Sequence, residues 1–165
     1  MNKYIAVILL VLVMTGCSRQ PVSATITDYG TYDAIIVVKG TWKLGFPVAI
    51  DSVENLNHKD TKMKIPAKDG VYWGYRATVF NASTDKPVEI SMVITHPLIT
   101  SPDGKSSTED KSYVSTLNPT QTVELQNMWF FIDSCPYEFV PGTWTLKVLA
   151  DGKPVAVKSF EVYTP

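Results

Sequence analysis

The clearest indication of the fold lies in residues 143–163, which read TWTLKVLADGKPVAVKSFEVY. Apolar and polar residues alternate over residues 143–148, and a period of two is typical of a β-strand with one face in the core. Asp151-Gly152 separates this run from a second one, residues 155–163. Because Asp-Gly between alternating runs is the strongest short-range hairpin signal, we predict a β-hairpin here, with a bulge near Lys158-Ser159.

The same period of two continues towards the N terminus. Residues 71–79 and 88–94 alternate in the same way, and the polar run 81–86 between them is typical of a turn. Pro97 is expected to end its strand, since proline cannot donate to a central ladder, and residues 101–111 are predicted as an exposed loop. Further strands are predicted at residues 25–29, 34–38, 48–53, 113–117 and 122–132.

These segments amount to about eight short strands with no helical segment after residue 16, which favours two antiparallel sheets over a parallel sheet. We therefore predict an all-β fold, an antiparallel immunoglobulin-like β-sandwich. A closed barrel is the alternative. The sandwich is assigned to residues 25–165, a length that suits one domain.

An export signal is predicted at the N terminus. Residues 4–14 form an unbroken apolar run after Lys3. This run is roughly half of the ~20 residues that a membrane-spanning helix needs, so it fits the apolar region of a cleaved signal peptide. Thr15 and Gly16 then place small residues directly before Cys17.

This arrangement resembles the lipobox of bacterial lipoproteins. The resemblance implies that residues 1–16 are a signal peptide, that Cys17 is joined to diacylglycerol, and that residues 17–24 form a short lipidated tether. Acyl chains at Cys17 would hold the protein at a membrane. Ser18 stands where an Asp commonly signals retention in the inner membrane, so a Gram-negative host would carry the protein on its outer membrane, facing the periplasm.

The charge of the processed chain narrows the range of partners. Removal of residues 1–16 leaves 14 basic against 16 acidic side chains, a formal net charge of −2. No basic stripe is present to gather phosphates, which argues against nucleic acid as a partner. The partners expected are the membrane, through the lipid anchor, and an envelope protein or glycan.

Several phrases are similar to an uncharacterised bacterial family of exported domains, described as a domain of unknown function. They are DYGTY at residues 28–32, IPAKDGVYWGY at 65–75, YEFVPGTW at 137–144 and KSFEV at 158–162. The resemblance runs from about Thr25 to Val162 and implies a compact exported domain without adding a mechanism. Residues 81–90 and 141–144 are also similar to strand-turn-strand phrases of immunoglobulin-like sandwiches.

Catalytic candidates are few. His58 and His96 are the two histidines of the chain, and we interpret His58 as a solvated loop residue and His96 as a residue at a strand end. Asp133 and Glu138 are interpreted as solvated turn acids, with a glycosidase-like carboxylate pair as the alternative. Cys135 is expected to be a buried core residue; an intermolecular disulfide or a reactive thiol is the alternative. No metal or other cofactor is predicted.

Aromatic residues supply the remaining candidate site. Where two aromatics are adjacent on a strand, alternation turns one of them to each face. Tyr72 and one of Trp129 or Phe130 are therefore candidates for an exposed contact surface, and core or edge packing is the alternative for the aromatic residues as a group.

Three functions fit these observations. The first is a lipid-anchored, non-enzymatic binding or structural module of the cell envelope, with no catalytic residues. The second is an envelope hydrolase acting on peptidoglycan or lipid, with His58, His96, Asp133 or Glu138 involved. The third is an inhibitor or exclusion factor of an envelope protein.

Overall fold

The computed structural model describes residues 22–36 and 53–165, and in these it contains nine β-strands and one short 3-10 helix. The 3-10 helix, Pro136–Glu138, lies between β7 and β8. The strands are β1 (Ser23–Ile36), β2 (Val53–Asp60), β3 (Lys64–Pro66), β4 (Tyr72–Phe80), β5 (Val88–Thr100), β6 (Ser106–Leu117), β7 (Thr122–Phe130), β8 (Gly142–Ala150) and β9 (Lys153–Tyr163).

The strands form two sheets. The four-stranded sheet has the order β2-β1-β4-β7, and the five-stranded sheet has the order β3-β9-β8-β5-β6. The predicted all-β sandwich is therefore confirmed, with nine described strands instead of about eight. One pairing departs from the antiparallel expectation, because the short strand β3 runs parallel to β9.

Alternation along each strand builds the core between the sheets. Trp73 on β4 and Trp144 on β8 are fully buried, and their ring centres lie 5.6 Å apart in an edge-to-face arrangement. Full burial of a large apolar side chain contributes about 1.5–3 kcal/mol, and aromatic pairs in this geometry add about 0.5–1.5 kcal/mol. The tryptophans of the sequence pattern therefore lie at the centre of the fold.

The predicted hairpin at Asp151-Gly152 is confirmed. Both turn residues have positive φ, 47° and 75°, as a two-residue type I′ turn requires. The bulge lies close to the turn and not at Lys158-Ser159, because Val148 pairs with Ala156 while Leu149 pairs with Pro154. Pro154 has no N–H to donate, so an irregular ladder beside it loses few hydrogen bonds.

Several strand boundaries differ from the sequence prediction. β1 is continuous across the gap expected between residues 29 and 34, and β2 carries His58, which was predicted to lie in a loop. β5 runs past Pro97 to Thr100 because the β5–β6 ladder shifts register between Thr95 and Ile99. The bulge places Pro97 where no ladder N–H is needed.

The predicted loop at residues 101–111 is shorter than expected, since β6 begins at Ser106. At the other end of the chain, the tether assigned to residues 17–24 overlaps the start of β1 at Ser23. The signal peptide, Cys17 and most of the weak strand 48–53 lie outside the described residues. Within the part of the chain that the structure describes, no helix has the length and apolar character to span a membrane.

The two ends of the sandwich are defined by β4. We call the end at which the chain enters β1 the near end. There Ser23, the first residue of β1, pairs with Phe80, the last residue of β4. At the far end Tyr72, the first residue of β4, pairs with Phe130. At about 3.3 Å per residue, a nine-residue strand separates the two ends by roughly 30 Å.

Candidate functional site

A buried polar cluster lies at the far end of the sandwich. We define the far-end cluster as His96 of β5, Asp110 of β6 and Glu138 of the 3-10 helix. His96 and Glu138 are 6% and 3% exposed, and the Asp110 side chain is 27% exposed. The imidazole packs against Trp144, with ring centres 5.0 Å apart. The cluster thus combines three ionisable groups with an apolar floor.

Both ring nitrogens of His96 face hydrogen-bond acceptors. Nδ1 lies 2.7 Å from the carbonyl oxygen of Pro97, and Nε2 lies 3.2 Å from Oδ2 of Asp110. A carbonyl and a carboxylate only accept, so both bonds form together when the imidazole is doubly protonated. Burial acts to lower the pKa of His96, but the hydrogen bonds that the imidazole donates to Asp110 and to the Pro97 carbonyl outweigh it, and the pKa is raised.

Glu138 is the most unusual acid of the cluster. Its Oε1 is buried and has no hydrogen-bond partner among the described residues. Burial raises the pKa of Glu138 to about 7, and the negative charge of Asp110 acts in the same direction, while a hydrogen bond with Tyr137 and the charge of His96 oppose it. The carboxyl group therefore exchanges its proton near neutral pH.

The cluster can bind and release protons, but a substrate cannot reach its imidazole. The His96 side chain is completely inaccessible to solvent, and both of its nitrogens are occupied. A general base must reach the proton that it removes, and this imidazole cannot. Among the described residues, no group of three or more His, Cys, Asp or Glu side chains is arranged to hold a metal ion.

The interpretation of the two turn acids was half correct. Asp133 is exposed, as predicted. Glu138 was expected to be solvated and is instead buried, because the 3-10 helix turns it towards His96 at the end of the sandwich. Sequence reasoning also missed Asp110, fourteen residues from His96 along the chain. The parity of β5 indicated the burial of His96, since it lies two residues beyond the core residue Ile94.

Cys135 lies beside the cluster, immediately before the 3-10 helix. Its side chain is fully buried, which confirms the prediction of a core position. A thiol at this depth is shielded from other chains and from reagents. Burial therefore argues against both alternatives, an intermolecular disulfide and a reactive thiol.

The aromatic contact surface expected at Tyr72, Trp129 and Phe130 is not exposed as predicted. Trp129 points into the core and is 4% exposed. Tyr72 and Phe130 do share the outer face of the four-stranded sheet, but Tyr72 is only 5% exposed. Phe130 stacks on Tyr72 with ring centres 5.5 Å apart, and Tyr32 on β1 pairs with Tyr72 from the other side. Neighbours on the same face thus bury Tyr72, and Phe130 alone is partly exposed.

A hydrogen-bonded group of polar side chains, Asp28, Tyr32 and Arg76, lies on the same outer face. Asp28 accepts hydrogen bonds from Arg76 Nε at 2.9 Å and from the Tyr32 hydroxyl at 2.6 Å. Burial acts to raise the pKa of Asp28, but these bonds outweigh it and the pKa is lowered. His58 is exposed, and its Nε2 lies 2.9 Å from the carbonyl oxygen of Tyr29. This face therefore joins β1, β2 and β4 and offers no free catalytic group at these residues.

A shallow groove of about 330 Å³ lies on the outer face of the five-stranded sheet. Its apolar floor and its charged rim come from four strands and the β8–β9 turn. The lining residues are Val93, Glu109, Lys111, Lys147, Leu149, Gly152, Pro154 and Val157.

The β5–β6 hairpin (residues 88–117), which contributes to this groove, has an accessible outer strand. β6 is an edge strand among the described residues, and most of its side chains are exposed. Leu98 and Tyr113 on this hairpin are 62% and 61% exposed. Neither residue was among the candidates from the sequence, where parity alone gave no sign that Tyr113 lies at a sheet edge.

The fold is that of an immunoglobulin-like all-β protein. An immunoglobulin-like protein from Pseudomonas aeruginosa is similar in structure, with a TM-score of 0.58 and 20% sequence identity over 88% of this chain and 99% of that one. The model of a family described as a domain of unknown function, DUF3859, matches residues 25–162. The chain therefore belongs to that family, as the phrases at residues 28–32 and 65–75 predicted.

Two further structural similarities are weaker. An alkylpurine DNA glycosylase from Pseudomonas fluorescens is 14% identical, with a TM-score of 0.46 over 63% of this chain and 28% of that one. A β-glucosidase from Listeria innocua is 14% identical, with a TM-score of 0.38 over 73% of this chain and 18% of that one. No curated protein matches the sequence.

Proposed function

We propose that this protein is a lipid-anchored, exported module of the cell envelope that works by binding and not by catalysis. Cys17 carries the anchor, and the outer membrane of a Gram-negative host is its location. The lipobox-like residues before Cys17 support the anchor. Strand β1 begins at Ser23, at the near end of the sandwich. A short tether between Cys17 and β1 would therefore hold the near end at the membrane and direct the far end away from it.

The exposed β5–β6 hairpin is the single observation that carries the binding role. An edge strand presents backbone N–H and C=O groups that can pair with an added strand. Tyr113 adds an exposed aromatic side chain to this edge, and tyrosine is enriched in protein contact surfaces. The ligand class is an envelope protein or a glycan, and an inhibitor of an envelope protein would use the same surface.

The geometry does not favour an envelope hydrolase. His96 and Glu138 are buried at the far end, whereas His58 lies on the outer face of the four-stranded sheet. These groups therefore do not converge on one accessible point, as a nucleophile and its base must.

Crosslinking in living cells tests the proposal. The lipidated protein is crosslinked in its host membrane and purified, with a Cys17→Ser variant carrying the same export signal as the control. We expect one envelope protein or glycan to be recovered with the anchored form alone. Recovery of nothing above the control, together with cleavage of peptidoglycan by the purified protein, would contradict the binding role and support the hydrolase.

A further inference from the structure

The far-end cluster sits at an interruption of the β5–β6 ladder. Regular pairing stops at Thr95 with Glu109 and resumes at Ile99 with Ser107. Pro97 lies inside this interval and has no N–H to donate. The bond between His96 and Asp110 joins the two strands directly beside the gap. A side-chain contact thus holds the edge strand where the backbone ladder does not.

The protonation state of His96 decides whether this contact forms. Both ring nitrogens face acceptors, at 2.7 Å and 3.2 Å, so the arrangement needs a proton on each. A neutral imidazole would turn one lone pair towards either the Pro97 carbonyl or the Asp110 carboxylate. One of the two contacts would then become repulsive.

The groups that face His96 come from each neighbouring element. β6 contributes Asp110, and the 3-10 helix contributes Glu138, with Tyr137 hydrogen-bonded to it. β7 and β8 contribute the uncharged rings of Trp129 and Trp144. With His96 charged and Glu138 neutral, the cluster contains one positive and one negative charge. Loss of the Glu138 proton places a second carboxylate near Asp110, and the Oε1 of Glu138 is already buried with no partner in the described part of the chain.

We propose that His96, Asp110 and Glu138 form a proton-controlled clamp, which fixes the tip of the β5–β6 hairpin under mildly acidic conditions and loosens it as the pH rises through neutrality. The proton released from Glu138 or His96 goes to solvent when the clamp opens. The raised pKa of both groups is in accord with this direction. The clamp does not depend on the proposed binding role, because its opening is a property of the protein alone.

Hydrogen exchange of the full chain in detergent, at pH 5.5, 6.5 and 7.5, tests the clamp. Division by the intrinsic exchange rates converts the data for residues 98–111 into opening constants. We expect the opening constant to rise about tenfold between pH 5.5 and 6.5, since one proton is lost on opening in this range. Amides of residues 146–158 in β8 and β9 report the global unfolding constant, and residues 98–111 should open with a larger constant than these amides at every pH.

Two substitutions isolate the cluster. Glu138→Gln cannot ionise, so it should reduce the rise between pH 5.5 and 6.5 to less than about twofold. Asp110→Asn can hydrogen-bond to either form of the imidazole, so it should reduce the part of the rise above pH 6.5 that belongs to His96. His58→Gln, on the exposed strand β2, should leave it unchanged. An opening constant that does not vary with pH in the unsubstituted protein, or a rise between pH 5.5 and 6.5 that persists in Glu138→Gln, would overturn the clamp.

An NMR titration of His96 in the unsubstituted protein covers the case in which a variant fails to fold. We expect its midpoint above the ordinary histidine value of about 6.5. A midpoint at or below that value would overturn the clamp.

Discussion

Replacement of Glu138 by glutamine should change how the stability of this protein depends on pH. The pKa of Glu138 rises from 4.5 to about 7 on folding. A group with a raised folded-state pKa favours the folded state below its unfolded-state pKa, and this contribution is lost as the pH rises through the folded-state value. The free energy of unfolding should therefore fall between about pH 4.5 and pH 7.

The size of the effect follows from the shift. At 1.36 kcal/mol for each pKa unit, Glu138 accounts for a loss of about 3 kcal/mol between pH 4.5 and pH 8. His96 adds to the loss in the same direction, because its pKa is also raised and its contribution disappears as the pH rises above about 6.5. Glu138→Gln removes the larger part, so the variant should be more stable than the unsubstituted protein at pH 8.

Urea unfolding followed by tryptophan fluorescence at pH 5, 6, 7 and 8 measures these free energies. Glu109→Gln is the matched control, because Glu109 is an exposed acid on the neighbouring strand and its replacement should leave the pH profile unchanged. If the unsubstituted protein gained stability from pH 5 to pH 8, or if Glu138→Gln had the same profile, the assignment of a buried, protonated Glu138 would be refuted.

Three further predictions, two of them with a control substitution, test the fold. Trp144→Ala should cost about 3–5 kcal/mol in urea unfolding, because Trp144 is fully buried, whereas Tyr113→Ala at a 61% exposed position should change stability by less than about 0.5 kcal/mol. Gly74→Ala should lower the melting temperature much more than Gly104→Ala, because a Cβ at Gly74 would overlap the Asn127 carbonyl oxygen, while Gly104 has open space. Because the pKa of Asp28 is lowered, its carboxylate stabilises the folded protein above about pH 4, and this contribution disappears as the pH falls. Asp28→Asn should remove the contribution, so the variant should lose less stability on acidification below pH 4. Acid titration monitored by circular dichroism checks this sign.

Local patterns predicted those parts of the fold that depend on neighbours in sequence. Trp144 and Leu146 lie in the core as alternation requires, and Asp151-Gly152 forms the turn that its residue types favour. The position of the bulge on β9 and the passage of β5 through Pro97 were missed. Both depend on how a strand pairs with its partner, and a single strand carries no record of that register.

The site was harder to predict, because its residues meet only in the folded chain. Asp110 and His96 come from two strands, and Glu138 comes from a 3-10 helix whose three residues have no periodicity. The predicted exposure of Tyr72 was wrong for a related reason. Its parity gave the correct face of the sheet, but the exposure of an outward side chain is set by neighbours such as Phe130 on the adjacent strand.

Site-resolved photocrosslinking on the protein in its host cell tests the proposed binding role most directly. A photoreactive residue replaces Ser112, an exposed position on edge strand β6, and in a second variant it replaces Lys86, an exposed position at the near end of the sandwich. We predict an adduct with one envelope protein or glycan from position 112 and none with that partner from position 86. The same adduct from both positions, or none from position 112, would contradict a binding surface on the β5–β6 hairpin.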